Sequence, residues 1–269
     1  MAYLDVENGR RIYFEDHQGD RRPLLLVHGW GMSGRVWDTT TAHFVDAGHR
    51  VVTFDQRGCG ASDKDFRDVS IAAGAADAVA IADALGLDGV VLNGWSLGGP
   101  IAAEAAQRLG RRCAGLILTG GATPRYVQAD DFPYGGAPGS VAETVAALRA
   151  NRTPFLHGLA RAVCAKDPGD GVIDWLWQVF QQTSPAADAA LAELDRLDQR
   201  DLLAKLDIPL LSIVGSADGF VAPDIGRAAA ELAPQGKLAF YEGCGHAPFL
   251  EEAERYRADL AAFINGLSG

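Results

Sequence analysis

Residues 94–98 read Gly94-Trp95-Ser96-Leu97-Gly98 and come one residue after the apolar run Val90-Val91-Leu92. A G-x-S-x-G pentapeptide in that place fits a strand passing into a helix through a sharp turn, with the serine at its apex. Glycines are needed on either side where a Cβ would strike the neighbouring strand and helix. The serine hydroxyl then stands clear of the sheet, beside the N–H groups of a helix N-terminus. Three fixed residues are a short signal, and a turn serine in a Rossmann-like loop satisfies them as well. What the pentapeptide means depends on what else the chain supplies.

The chain as a whole supplies a rhythm. An Asn8-Gly9 turn joins Tyr3–Glu7 to Arg11–Asp16 as a hairpin. Short apolar runs follow at Leu24–Val27, Val51–Phe54, Val90–Leu92, Leu116–Leu118, Leu210–Val214 and Leu238–Tyr241, separated by helical stretches such as Ile71–Leu85 and Ile101–Leu109. Continuous apolar strands alternating with helices imply a mostly parallel sheet with helices on both faces, an α/β fold. Between Gly121 and Leu203 the rhythm stops. Asp131–Gly139 is rich in Pro and Gly, and Val141–Lys166 and Gly171–Arg200 read as helices. That span is too long for a simple connection. It predicts a helical insertion at 122–203 lying over a core made of 1–121 and 204–269, rather than an independent domain.

Composition closes off several classes of function. A formal net charge of -11 over 269 residues speaks against a nucleic-acid binder or an anionic-membrane binder, both of which need a basic surface. Cys59, Cys113, Cys164 and Cys244 are far apart, with neither metal-site spacing nor a disulfide-dense pattern, which points to a reducing cytoplasm. The N-terminus has no basic start followed by an apolar core, so no signal peptide is expected. No apolar stretch approaches membrane-spanning length.

A nucleophilic serine needs a base, an acid to orient that base, and donors for an oxyanion. Where the serine sits in G-x-S-x-G, the acid and then the histidine follow it along the chain. Asp218 comes just after the run Leu210–Val214, in Gly215-Ser216-Ala217-Asp218-Gly219, and His246 just after Leu238–Tyr241, in Gly243-Cys244-Gly245-His246-Ala247-Pro248. In a parallel sheet the C-terminal strand ends share one edge, where ligands bind. Ser96 is thus the candidate nucleophile, His246 the base and Asp218 the acid, with the backbone N–H groups of Trp30 and Leu97 as oxyanion donors. Asp218 also fits a plain Asp-Gly turn, and Asp224, at the start of the next helix, is its rival. His28 is read as shaping the loop that holds Trp30. His17, His43, His49 and His157 are read as structural or surface residues, and Cys59 and Cys244 as packing residues.

These stretches together resemble an α/β-hydrolase of the serine-esterase type. His28-Gly29-Trp30-Gly31, Asp55–Asp63, Gly94–Gly98, Gly215–Gly219 and Gly245-His246-Ala247-Pro248-Phe249 carry the resemblance, over nearly the whole chain. It implies an eight-stranded sheet with the first hairpin antiparallel, a helical cap at the insertion, and no cofactor or metal. Two subfamilies are similar. One is the cofactor-free haloperoxidase and arylesterase group, which usually has proline where this chain has Gly31. The other demethylates a pimeloyl carrier-protein ester. An acidic carrier is disfavoured by the charge of -11 unless Arg149, Arg152, Arg161 and Lys166 form a local basic patch. The expected reaction is hydrolysis of small-to-medium neutral acyl or aryl esters. Perhydrolysis, C–C bond hydrolysis and acyl transfer can use the same three residues.

Nine aromatics could wall the substrate pocket: Trp30, Phe132, Tyr134, Phe155, Trp175, Trp177, Phe180, Phe220 and Phe249. The reading selects Trp30, Phe132, Phe155, Trp177, Phe220 and Phe249, with Trp30 and Phe249 next to catalytic loops. Two other functions compete. Gly29, Gly31 and Gly34 form a literal G-x-G-x-x-G with Asp55 about 20 residues on, the outline of an NAD-dependent oxidoreductase. That reading leaves Asp218, His246 and the serine turn unexplained. A non-catalytic ligand receptor on the same fold would be signalled by a missing triad member, and none is missing.

Overall fold

The computed structural model describes residues 1–268. Its strands are β1 (Ala2–Glu7), β2 (Arg10–His17), β3 (Arg21–Val27), β4 (His49–Phe54), β5 (Val90–Trp95), β6 (Cys113–Thr119), β7 (Leu210–Gly215) and β8 (Gly236–Tyr241). They form one eight-stranded sheet in the order β1-β2-β4-β3-β5-β6-β7-β8. Pairing is antiparallel for β1–β2 and β2–β4 and parallel across the rest, the mostly parallel sheet that the apolar runs predict. The hairpin turns on Asn8 (φ 46°) and Gly9 (φ 82°), two consecutive positive-φ residues of the kind that match strand twist.

The helices are α1 (Asp38–Asp46), α2 (Ile71–Ala84), α3 (Gly98–Leu109), α4 (Ser140–Ala150), α5 (Arg152–Ala162), α6 (Asp170–Gln181), α7 (Asp188–Glu193), α8 (Arg200–Ala204), α9 (Pro223–Leu232), α10 (Pro248–Glu251) and α11 (Ala253–Asn265). Among the described residues no helix is long and apolar enough to cross a membrane. Alternation along β5 shows that both faces of the sheet are covered. A Cβ at Gly94 would meet Ala102 of α3, whereas the next residue back, Asn93, bonds Tyr256 of α11. In register with Gly94 lie Leu118 and Ser212, and Ser212 faces Gly226 of α9. Helices α3 and α9 therefore share one face and α11 packs on the other.

Helices α4–α8 lie between β6 and β7, within the span read as an insertion. The two long helices expected there are broken. Val141–Lys166 splits at Asn151 (φ −150°, ψ 62°), because Pro154 inside a continuous helix would lose a hydrogen bond and clash with the preceding turn. In the first turn of α5 it does neither. Gly171–Arg200 stops at Gln181 and restarts on Pro185, where the Ser184 hydroxyl caps a short 3₁₀ turn leading into α7.

Charge is buried where the edge hairpin joins the core. Arg57, just after β4, grips Asp77 of α2 with two contacts of 2.7 Å, reaches Glu7 of β1 at 2.7 Å, and donates to the Asp68 carbonyl at 2.8 Å. Asp77 is 1 % exposed, and burial raises its carboxyl above the ordinary value even beside the guanidinium. Removing one partner of such a pair leaves an uncompensated buried charge. Asp77→Ala is expected to cost about 3–5 kcal/mol, read as a lowered urea midpoint at neutral pH. A loss below about 1 kcal/mol, the range of exposed pairs, would contradict the role given to this pair.

Candidate active site

At the end of β5 the chain makes its turn with Ser96 at φ +55°, a left-handed conformation unusual for a residue with a side chain. Two glycines allow it. A Cβ on Gly94 would collide with the carbonyl of Gly98, and one on Gly98 with the carbonyl of Val27. Backbone bonds hold the turn: Ser96 N–H donates to Thr119 O at 3.1 Å, and Ser96 O accepts from Gly99 and Ala122 at 2.9 and 3.0 Å. Ser96 is partly exposed in an otherwise buried segment, and its hydroxyl makes no hydrogen bond among the described residues.

Asp218 and His246 follow the ends of β7 and β8, which are adjacent in the sheet. His246 Nδ1 lies 2.8 Å from Asp218 Oδ2, and the side chains are 5 % and 2 % exposed. The second Asp218 oxygen accepts from the N–H groups of Phe220 and Val221 at 2.8 and 3.0 Å. The carboxylate is thus fixed, Nδ1–H donates to it, and Nε2 is left without a protein partner among the described residues. Gly120 (φ +49°) closes over the pair, where a Cβ would sit 3.1 Å from Nδ1 and 3.2 Å from Oδ2. Asp224 is turned away on α9, more than half exposed and beside Arg227.

Three residues position the histidine through contacts that the sequence does not announce. Trp95 donates its indole N–H to the His246 carbonyl at 2.8 Å, so the residue before Ser96 holds the histidine's own backbone. Its ring packs 5.4 Å from the imidazole, and Phe220 packs 5.0 Å from it on another side. Glu251 accepts from Gly245 at 2.8 Å and from Ala165 and Lys166 at 3.0 Å, tying the histidine loop to the residues after α5. Its signature in the sequence is faint, a carboxylate five residues past a histidine.

The Trp30 loop approaches from β3. Among the described residues neither the Trp30 nor the Leu97 N–H has a protein acceptor, and both residues line the same cavity as Ser96 and His246. His28 sets the loop. Gln56 N–H donates to His28 Nε2 at 2.9 Å, so the proton is on Nδ1, which donates to Gly29 O at 2.7 Å. The Trp30 indole is anchored to Ala187 O at 3.0 Å. The three glycines of the dinucleotide-like spacing have local reasons. Gly29 packs against Ser96, Gly31 (φ +75°) against Phe180, and Gly34 donates to Asp55. Asp55 is buried, and its two carboxylate oxygens accept from the Gly34 and Ala61 N–H groups at 2.7 Å, so they brace the two loops. Burial pushes the Cys59 and Cys244 thiols up to about 12, so neither supplies a thiolate.

The cavity over Ser96 has a volume of about 100 Å³. Of the six selected aromatics, Trp30, Phe155 and Phe220 line it and Phe132, Trp177 and Phe249 do not. Phe249 is turned beneath the site by α10 and packs on Trp37, Trp95 and Tyr256. Phe132 packs on Tyr134, and Trp177 on His157. Phe180 and Tyr126 take part instead, with Leu159, Val163, Leu191 and Leu194, aliphatic residues that carry no pocket signature in a sequence.

Known proteins resemble this chain in sequence and fold. Residues 22–253 match the alpha/beta hydrolase fold family. A non-heme chloroperoxidase of Streptomyces lividans is 31% identical, over 98% of this chain and 99% of its own. A bifunctional esterase/perhydrolase of Acinetobacter calcoaceticus is 30% identical over the same shares. A pimeloyl-[acyl-carrier protein] methyl ester esterase of Neisseria meningitidis is 30% identical over 91% of this chain and 94% of its own. Among solved structures, an esterase from Exiguobacterium antarcticum superposes with a TM-score of 0.94 at 26% identity, covering 98% of this chain and 99% of that one.

The buried histidines make a pH prediction. Burial lowers the affinity of His28 and His49 for a proton below the ordinary value of 6.5. The unfolded chain takes up those protons first on acidification, so stability is complete above pH 6.5 and declines below it. Each histidine contributes up to about 1.4 kcal/mol per pH unit to the slope. Urea midpoints are expected to fall between pH 6.5 and 5.5, and a constant midpoint there would contradict the neutral His28 assigned above.

Proposed function

The chain belongs to the alpha/beta hydrolase fold family, and we propose that within it the protein hydrolyses carboxylic esters of small neutral acids through an acyl-enzyme on Ser96. The observation that carries this reading is the fixed Asp218–His246 pair, whose free Nε2 and the unbonded Ser96 hydroxyl share one cavity with two unoccupied backbone N–H groups. In the proposed cycle Ser96 Oγ attacks the ester carbonyl carbon while His246 Nε2 takes its proton. The carbonyl oxygen, now an anion, is met by the Trp30 and Leu97 N–H groups, each worth about 3 kcal/mol of transition-state stabilisation. The carbon–oxygen bond to the alcohol breaks, and His246 returns the proton to the leaving oxygen. Water then adds to the acyl-enzyme with His246 again as base, releasing the acid and restoring Ser96. Asp218 keeps Nδ1 protonated and stabilises the imidazolium.

Cavity size supports a short acyl group. A volume of about 100 Å³ is smaller than the roughly 150 Å³ void that holds benzene. Acetyl to butyryl groups fit that space. The walls are apolar side chains, which suits a neutral ligand.

The relatives named as haloperoxidases and perhydrolase support a second reading, in which hydrogen peroxide replaces water in deacylation and a peracid leaves. Gly31 weighs on this. Its φ of +75° is closed to proline, whose ring holds φ near −65°. This loop therefore does not take the form that a proline at position 31 would impose, and hydrolysis is the reading preferred. A carrier-protein substrate is supported by the Neisseria relative but not by surface charge. Of the four basic residues, Arg149 and Arg152 pair with Asp188 and Lys166 with Glu252, which leaves Arg161 alone without an ion pair among the described residues.

Purified protein is expected to turn over p-nitrophenyl acetate and butyrate faster than the octanoate. Ser96→Ala should lower kcat about 10⁴-fold or more and abolish labelling by a fluorophosphonate. Unchanged turnover in the Ser96→Ala protein would overturn the proposal.

A further inference from the structure

Arg152 opens α5, and its guanidinium turns inward. Nη1 donates to both oxygens of Asp188 at 2.9 and 3.1 Å, and Nη2 donates to the Thr183 carbonyl at 3.2 Å. Asp188 is wholly buried at the start of α7, with Arg149 as a second, more distant cation at 3.4 Å. A buried ion pair adds little stability over apolar groups of the same volume. What this pair is attached to therefore matters more than the pair itself. Ala187, the residue before Asp188, accepts the Trp30 indole N–H at 3.0 Å. Thr183, whose carbonyl takes Nη2, donates its hydroxyl to the Gly31 carbonyl at 2.7 Å. The guanidinium carbon lies 5.9 Å from the centre of the Trp30 ring, at the outer limit of a cation–π contact. One arginine thus joins the anchors of two consecutive residues of the donor loop.

We propose that Arg152 and Asp188 are positioning residues for the oxyanion donor at Trp30, the guanidinium fixing the spacing between the Thr183 and Ala187 anchors and so the aim of the Trp30 N–H. This rests on the ester hydrolysis proposed above. Neither residue lines the cavity over Ser96, so both act without touching substrate. A donor stabilises the oxyanion only when it meets the position of that oxygen closely. A misplacement of about 1 Å at a reacting centre can cost on the order of 100-fold in rate. The loss falls on the stage at which the oxygen carries charge, so binding of a neutral ligand in the cavity is left unchanged. The fork also matters separately from the charge. Arginine presents several donors in one rigid plane and spans two acceptors, whereas a lysine ammonium is a point charge on a flexible stem. Arg152→Lys therefore keeps the pairing with Asp188 and loses the bridge to Thr183.

The test separates aiming of the donor from support of the fold. Arg152→Gln, Arg152→Lys and Asp188→Asn are compared with the unmodified protein, each normalised to competent enzyme by fluorophosphonate titration of Ser96 carried to completion. Three quantities are read: kcat/KM for p-nitrophenyl acetate, the Ki of butylboronic acid, whose anionic tetrahedral adduct on Ser96 needs the donors, and the Ki of butyramide, which is neutral and planar. In all three variants kcat/KM is expected to fall tenfold or more, and the boronate Ki to rise by the same factor within threefold. The butyramide Ki is expected to stay within twofold of its original value. A butyramide Ki that rises in step with the boronate Ki would make the pair a support of the cavity wall and overturn the proposal. So would full activity in Arg152→Lys beside a loss in Arg152→Gln, since charge alone would then suffice. A lowered urea midpoint with kcat/KM within threefold of the original, or loss of every competent site in all three variants, would make the pair a folding element only, and would overturn it as well. If the unmodified protein shows no Ser96-dependent turnover of the acetate, the failure lies with the proposed function, a result distinguishable from the others.

Discussion

Ser96 occupies a backbone conformation that costs on the order of 1–3 kcal/mol for a residue with a side chain, and the centre of the molecule is organised to hold it there. Helix α3 comes so close to β5 and β3 at this turn that a Cβ on Gly94 would strike the Gly98 carbonyl and one on Gly98 the Val27 carbonyl. Beneath the turn lies a closed polar cluster of Asn93, Thr119 and Tyr256, joined by three bonds of 2.8–2.9 Å. Its members come from β5, β6 and α11, and Thr119 also accepts the Ser96 N–H through its carbonyl. A buried polar network of this kind is favourable only when fully paired. Pairing it fixes the spacing of the two central strands next to the proposed nucleophile.

The core of the fold is legible in the sequence because its signals are local. Each parallel strand is a short apolar run, and each end that carries a candidate site residue is marked by glycines and polar residues, as at Gly215–Gly219 and Gly243–His246. The meeting of Asp218 with His246 follows from strand order alone. The roof over the cavity is less legible, because which face of a helix turns inward is decided by partners far along the chain. Phe180 reaches the cavity because Gly31 leaves room for its ring, a contact 149 residues apart in sequence. Phe249 follows His246 closely, yet Pro248 starts α10 at once and carries the ring underneath. Trp95 reads as a filler position in the pentapeptide, and only the fold shows its indole reaching the His246 carbonyl.

The Trp30 loop shows how one conformation can serve several demands. Gly31 places φ at +75°, Thr183 donates to its carbonyl at 2.7 Å, and Phe180 packs against its Cα. The loop that presents a proposed oxyanion donor is thereby bound to the helices above it, and Trp30 itself is tied to Ala187. The roof and the donor loop are one packed unit, so substitutions in the helices that cover the site can reach the chemistry without touching substrate.

The bond from Trp95 to the histidine loop has a thermodynamic side. It joins the turn after β5 to the loop after β8, across the intervening strands β6 and β7, and both ends are buried. Sites built from independent surface loops open and lose order at free energies well below that of global unfolding. Here neither loop can leave without breaking a buried bond and disturbing the packing of Trp37 and Phe249 around the indole. On this ground the order of Ser96 relative to His246 is expected to persist until the sheet itself gives way, lost on heating in the same cooperative step as the fold.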